Sequence, residues 1–376
     1  NEPLCYWIDK KTLELFDSTR FQTEKRFVIS GLQTADNVRF TRNHWEVSSG
    51  QIATCKKESE NNKWSWVLIG DYSLSYFFDQ LCVVNYHQKG YELQNSPNTR
   101  PNDSLNIFYR HGISWSLRTV KFEPHIIPSG CISTKSRYIC LIEEKKQILS
   151  TLSLWNSEYM DYCLKLSMEK DYQPKFILGI VNQLPFPLLS NEFEYSQCTI
   201  RQFYRVKEIF RLSDLSLAFT KNAFISSPSL IQFCGQRTQL LSSYKDNYVK
   251  DKKVLNGRVY SDFNVLDLEQ NDIKEIVSKA IKNDNEDRIF IHTQSKIIGQ
   301  LFSILIGCVY ERWDVRILKY WKEEWSDEDM FKARKHSPFL YGPKKSTLDL
   351  VLTEFHDEIK KIWEMPYPIE VLEEVA

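Results

Sequence analysis

Near residue 195 the chain changes texture, and the change limits the folds open to it. Before it, short runs rich in aromatic and β-branched residues ("RFVIS", "WSWVLIG", "LNIFYR", "TVKFEPHIIP", "RYICLIE") are separated by Asn, Pro and Gly. Punctuated runs of this kind predict strands. One helix is predicted among them. From Lys146 to about Lys170, Ile148, Leu152, Leu154, Trp155, Tyr159, Tyr162, Cys163 and Leu166 recur at helical spacing. The stretch "QPKFILGIVNQLPFPLL" predicts a short strand stopped by Pro-Phe-Pro, because proline neither donates to a ladder nor fits a helix interior. Beyond it, residues 201–219, 227–253, 269–283, 294–310 and 345–364 each predict a helix. The longest opens at Ser226 or Ser227 ahead of Pro228, where a hydroxyl caps free amides. The expected fold class is α+β: a mixed β domain with a packed helix over residues 1–195, then a mainly α-helical domain over residues 196–376. A length of 376 residues fits two domains.

Several chemistries are excluded by what the sequence lacks. Its twelve glycines never form GxGxxG, GxSxG or GxxxxGK[ST], so no dinucleotide cradle, nucleophile elbow or P-loop is present. The nine cysteines form no CxxC pair and the seven histidines are dispersed, which argues against a metal site and fits a reducing cytoplasm. No run of 18 apolar residues offers a membrane span. Glu143-Glu144-Lys145, joined by Glu123, has the residue types of a nuclease site but reads as a charged helix start, and Glu192 and Glu194 read as surface. The opening "NEPLCYWIDKK" has no initiator Met and no signal-peptide pattern, and reads as part of a longer protein.

The charge balance is 49 basic to 49 acidic residues, so no global field draws the chain toward nucleic acid. Locally the balance tips. From Arg100 to Arg137, six Lys or Arg face two acids. Upstream, "GLQTADNVRFTR" packs Gln33, Thr34, Asp36, Asn37, Arg39 and Arg42 into twelve residues behind an apolar run.

That loop and its neighbours carry a resemblance. The stretch from Glu2 to Val47 resembles the start of the target-recognition region of large adenine-specific DNA methyltransferases, a group that includes BREX phage-defence methyltransferases and fused type IIG restriction-modification enzymes. There a Tyr-Trp strand precedes a Gly-x-x-Thr-Gly-x-Asn-x-x-Phe-x-Arg loop and a Trp-x-Glu-Val strand. Gly31, Thr34, Asn37, Phe40, Arg42, Trp45, Glu46 and Val47 match, while Ala35 stands where the family usually has glycine. Further pieces follow in the family's order: "YRHGISWSLRTVKFEPHIIPSGCI", "ILSTLSLWNSEYMDYCLKL", "YQPKFILGIVNQLPFP", "LNGRVYSDFNVLDLEQNDI" and "LIGCVYERWDVRI". Val181, Asn182 and Glu311 depart from the pattern.

The resemblance implies the DNA-reading half of such an enzyme. The family's S-adenosyl-L-methionine loop and Asn-Pro-Pro-Tyr catalytic loop are absent from these residues, so that cofactor is expected of the parent enzyme and no catalytic residue of this chain. Double-stranded DNA and a catalytic methyltransferase domain, in the same parent chain or a partner subunit, are the expected partners in a prokaryotic cytoplasm. The expected DNA-contacting residues are Gln33, Thr34, Asp36, Asn37, Arg39 and Arg42 in the loop, with Arg110, Ser114, Trp115, Ser116, Arg118, Lys121, Lys135 and Arg137 further on. Their types suit the task. Arginine forks onto guanine, amides pair with adenine, and cations neutralise phosphates. Turn-holding by Asp36 and Asn37 and core packing by Trp115 are the competing roles. Two other functions stay open: a free-standing specificity subunit that docks on separate methylation subunits, and a non-catalytic interaction module.

Overall fold

The computed structural model describes residues 10–309, except 19, 70–73, 78–81, 101–102, 104, 120, 169–174, 187–188, 211–215, 217–229, 266, 281–289 and 291–293. The fold is α+β. In chain order the elements are α1 (Lys10–Ser18), β1 (Arg26–Ile29), α2 (Asn37–Phe40), β2 (Thr41–Asn43), β3 (Ile52–Ala53), β4 (Trp64–Val67), β5 (Cys82–Asn85), α3 (His87–Gln94), β6 (Gly112–Ser114), β7 (His125–Ile127), β8 (Cys131–Ile132) and β9 (Ile139–Ile142). The helical part follows as α4 (Lys145–Trp155), α5 (Glu158–Ser167), α6 (Leu178–Val181), α7 (Glu192–Phe210), α8 (Leu230–Asp262), α9 (Asp267–Ala280) and α10 (Gln294–Val309).

The strands form two sheets. The first runs β1-β9-β6-β7 and is antiparallel throughout. In the second, β4 pairs antiparallel with β5, which pairs with β2, while β3 and β8 share the other edge of β4 in parallel. Successive side chains of a strand point to opposite faces. In β9, Cys140 and Ile142 join the core shared with the helices, whereas Ile139 and Leu141 join the core shared with the second sheet. Val28 and Phe27 of β1 divide the same way, as do Ile126 and Ile127 of β7. The first sheet is therefore a middle layer, covered on both faces. That is why "RYICLIE" is almost continuously apolar rather than alternating.

The helical period after Glu144 is interrupted at Asn156. Its amide donates to the carbonyls of Leu152 (2.8 Å) and Pro124 (3.1 Å), ending α4, and the Ser157 hydroxyl accepts from the Met160 amide to start α5. The single helix expected over Lys146–Lys170 is thus two. Small hydroxyl residues let α4 and α7 approach closely: Ser153 donates to the Tyr195 carbonyl (2.6 Å) and Thr199 to the Leu149 carbonyl (2.6 Å). The boundary expected at residue 195 falls inside α7, and one continuous core runs across it from Phe21 to Phe290.

Other expectations need correction. "LNIFYR" is a turn that buries Ile107, Phe108 and Tyr109 and exposes Leu105, Asn106 and Arg110, with Asn106 and Tyr109 at φ of 55° and 65°, a backbone incompatible with a strand. "FILGIV" holds the short helix α6, not a strand. The expected Trp-x-Glu-Val strand is a 3-10 turn, His44–Glu46, closed by a capping box in which the Glu46 carboxylate accepts from the Asn43 amide at 2.6 Å. The Tyr6-Trp7 strand, the Ser226 or Ser227 cap, the 345–364 helix and most of "LIGCVYERWDVRI" lie outside the described residues. Among the described residues no helix is long and apolar enough to cross a membrane.

Candidate nucleic-acid interface

Gly31 begins the site. A Cβ there would meet the Ser133 carbonyl oxygen at 2.1 Å, so only glycine lets the loop lie against residues 133–135. The Leu32 amide donates to the Ser133 carbonyl (2.8 Å) and the Lys135 amide to the Leu32 carbonyl (2.9 Å). Gln33 pairs with Arg100 through backbone bonds of 3.0 and 2.9 Å, and its side chain donates to the Asn98 carbonyl while accepting from the Lys135 ammonium at 3.2 Å. Ala35 takes the left-handed backbone, φ 56°, at the position where the resembled family has glycine. Asp36 then caps α2, accepting from the Arg39 amide at 3.0 Å, and the Thr34 hydroxyl donates to the Asn37 side-chain carbonyl.

This loop forms one wall of a cleft of about 440 Å3, completed by Ile69, Leu117, Arg118, Lys135 and Ser136. Gln33, Thr34, Asn37, Arg118 and Lys135, expected from three separate stretches of sequence, line it together. None of the described lining residues is acidic. An antiparallel bridge sets Lys175 beside Arg118, and the bridge to Gln33 sets Arg100 beside the loop. Arg100, Arg118, Lys135 and Lys175 are all exposed, and among the described residues none of them has a carboxylate partner. Lys175 has no signal in the sequence, because an isolated bridge between distant residues leaves no periodic mark.

The remaining expected residues are placed otherwise. Arg39 and Arg42 are exposed on α2 and β2 but engaged: Arg39 pairs with Glu92 at 2.7 Å, and Arg42 donates to the carbonyls of Val38 (2.7 Å) and Thr41 (2.6 Å). Arg110 is exposed but lies outside the cleft lining. Ser114, Trp115 and Ser116 are buried. Trp115 stacks edge-on against Phe122 and Trp155 and donates its indole N–H to the Phe176 carbonyl at 2.9 Å, so it is a core side chain rather than a stacking surface for bases. Lys121 is also inside, hydrogen-bonded to Lys252 near Glu158 and Asp161. Burial first, and then the Lys121 charge, lower the Lys252 pKa. Arg137 is fully buried beside His125, whose pKa is lowered by burial and then by the Arg137 charge. A phosphate cannot reach either of these two cations in this fold. Glu143 and Glu144 stand exposed at the start of α4 near Lys25 (4.0 Å) and Lys146 (3.6 Å), which fits a charged helix start.

No family model matches the chain. Compared with curated proteins, it is 21% identical over 371 residues, 93% of its length, to the adenine-specific methyltransferase PglX of Lacticaseibacillus casei (strain Zhang). It spans 29% of that protein. The chain is thus distantly similar to one region of an adenine-specific methyltransferase.

Proposed function

We propose that the chain is the sequence-specific DNA recognition region of an adenine-specific DNA methyltransferase of a restriction-modification or phage-defence system. In this reading the S-adenosyl-L-methionine domain lies elsewhere in the parent chain or on a partner subunit. The expected recognition unit, residues 1–195, carries the DNA face, and the helices α7 to α10 brace it. One observation carries the reading. The cleft, with no acid among its described lining residues, gathers Gln33, Thr34, Asn37, Arg118 and Lys135 from distant stretches, with Arg100 and Lys175 beside it. Cations without carboxylate partners neutralise phosphates, and amide and hydroxyl groups read base edges. The distant similarity to PglX supports the coarser part of this reading, a region related to an adenine-specific methyltransferase.

The test is a salt titration. Changing Arg118 and Lys135 to Ala should weaken binding to all duplexes alike, and each lost phosphate contact should lower the slope of log K against log salt by about 0.9. Binding by fluorescence anisotropy at several salt concentrations checks this. A wild-type slope in the double variant refutes the interface.

A further inference from the structure

The cleft also has features that phosphate binding does not require. The half-buried Ile69 and Leu117, backed by the buried Leu32, make part of its wall apolar, which suits the face of a nucleobase and not a phosphate. Its volume, about 440 Å3, lies in the range of ligand-sized clefts, roughly 300–1,000 Å3. Thr34 occupies the Asn37 side-chain carbonyl, which leaves the amide nitrogen as the donor for a base acceptor. Arg118 and Lys135 stand on the same lining and suit the attached phosphate. The walls are held in advance. The Thr134 hydroxyl donates to the Leu68 carbonyl (2.7 Å), the Leu117 amide to the Ser136 carbonyl (3.0 Å) and the Lys135 amide to the Leu32 carbonyl (2.9 Å).

We propose that this cleft receives one unstacked nucleotide of the bound DNA, with the base against Ile69 and Leu117, its edge at Asn37, and its phosphate at Arg118 and Lys135. The inference rests on the DNA reading above and sharpens it: a base stacked within a duplex cannot enter a cleft of this kind, so the strand must be locally opened.

The experiment uses the full chain with a duplex selected for preference from a random pool. 2-Aminopurine, whose fluorescence is quenched by stacking, replaces each base of that duplex in turn. One position is expected to brighten severalfold when the wild type binds. Leu117→Trp, which fills the cleft, should keep salt-dependent binding and lose the brightening, and Asn37→Ala, which removes the edge donor, should lose both the brightening and the preference for the selected duplex. Binding without brightening at any position, or brightening unchanged in both variants, overturns the proposal and leaves the DNA reading standing. No binding to any duplex overturns both. Free 2-aminopurine deoxynucleoside monophosphate covers the other source of the same chemistry: its anisotropy should stay low, and tight saturable binding would overturn the assignment to a DNA strand.

Discussion

At the scale of single residues, two adjacent backbone constraints set the loop. Gly31→Ala would drive a methyl group into the Ser133 carbonyl, 2.1 Å away, and should cost about 1–3 kcal/mol. Ala35 bears the opposite strain: at φ 56° a Cβ is disfavoured, so Ala35→Gly should gain up to about 1 kcal/mol, less the extra freedom glycine brings to the unfolded chain. Urea unfolding of the two variants checks the opposed signs. The two loop arginines should also separate. The Arg39–Glu92 pair is exposed, and exposed pairs are worth only about 0.2–1 kcal/mol, so a base edge can displace the carboxylate. Arg39→Ala should cost about 1–3 kcal/mol on the preferred duplex and leave non-specific binding nearly intact. Arg42 holds the Val38 and Thr41 carbonyls, so Arg42→Ala should lower thermal stability and keep the preference. Competition anisotropy at one salt concentration, with a melting curve for each variant, tells reading from holding.

At the scale of elements, the strand after Gly112 turns inward. Ser114, Trp115 and Ser116 carry the polar and aromatic types of a recognition strand, yet β6 lies between β7 and β9 in the middle layer, where both faces are covered. Its aromatic ring therefore clamps the 176 segment rather than a base. Trp115→Phe leaves the Phe176 carbonyl without its donor and shrinks a fully buried side chain, for an expected cost of roughly 1–3 kcal/mol. Binding should be unchanged in salt slope once the variant is compared at a temperature where it is folded. A lowered slope with unchanged stability would instead place Trp115 at the interface. The helices show the same limit on sequence reading. The apolar positions of α4 and α5 were legible as one helical stripe, but the break at Asn156 depends on the Pro124 carbonyl, a partner 32 residues earlier.

At the scale of the whole molecule, buried ionisable groups make stability depend on pH. His125 is enclosed, and burial holds its pKa below 6.5, the value it regains on unfolding. Between that value and its lower folded pKa the unfolded chain binds more protons than the folded one, so stability is complete above pH 6.5 and falls as pH drops through it. The urea midpoint should decrease from pH 7.5 to pH 5, with a shallower decrease in His125→Gln. A midpoint flat over that range in the wild type refutes the assignment. The Lys121–Lys252 contact has the same sign at higher pH, since burial first, and then the Lys121 charge, lower the Lys252 pKa.

The α+β class, the strands β1, β4, β7 and β9 and the presence of helices α7 to α10 follow from local pattern, because side-chain period and turn residues act over a few positions, although α7 begins at Glu192 rather than residue 201 and α8 runs on to Asp262 rather than residue 253. The loop was legible in part: the Asp36 cap and the Thr34–Asn37 bond are local, whereas Gly31 answers to the Ser133 carbonyl and Gln33 to Arg100 and Lys135, partners far along the chain. Burial is different. Whether Trp115, Lys121 and Arg137 face solvent or core depends on what packs over them, and the first sheet is covered on both faces by elements far away in sequence. The gathering of Gln33, Asn37, Arg118, Lys135 and Lys175 around one cleft likewise rests on long-range pairings, Leu32 with Thr134 and Arg118 with Lys175, that only the tertiary structure decides.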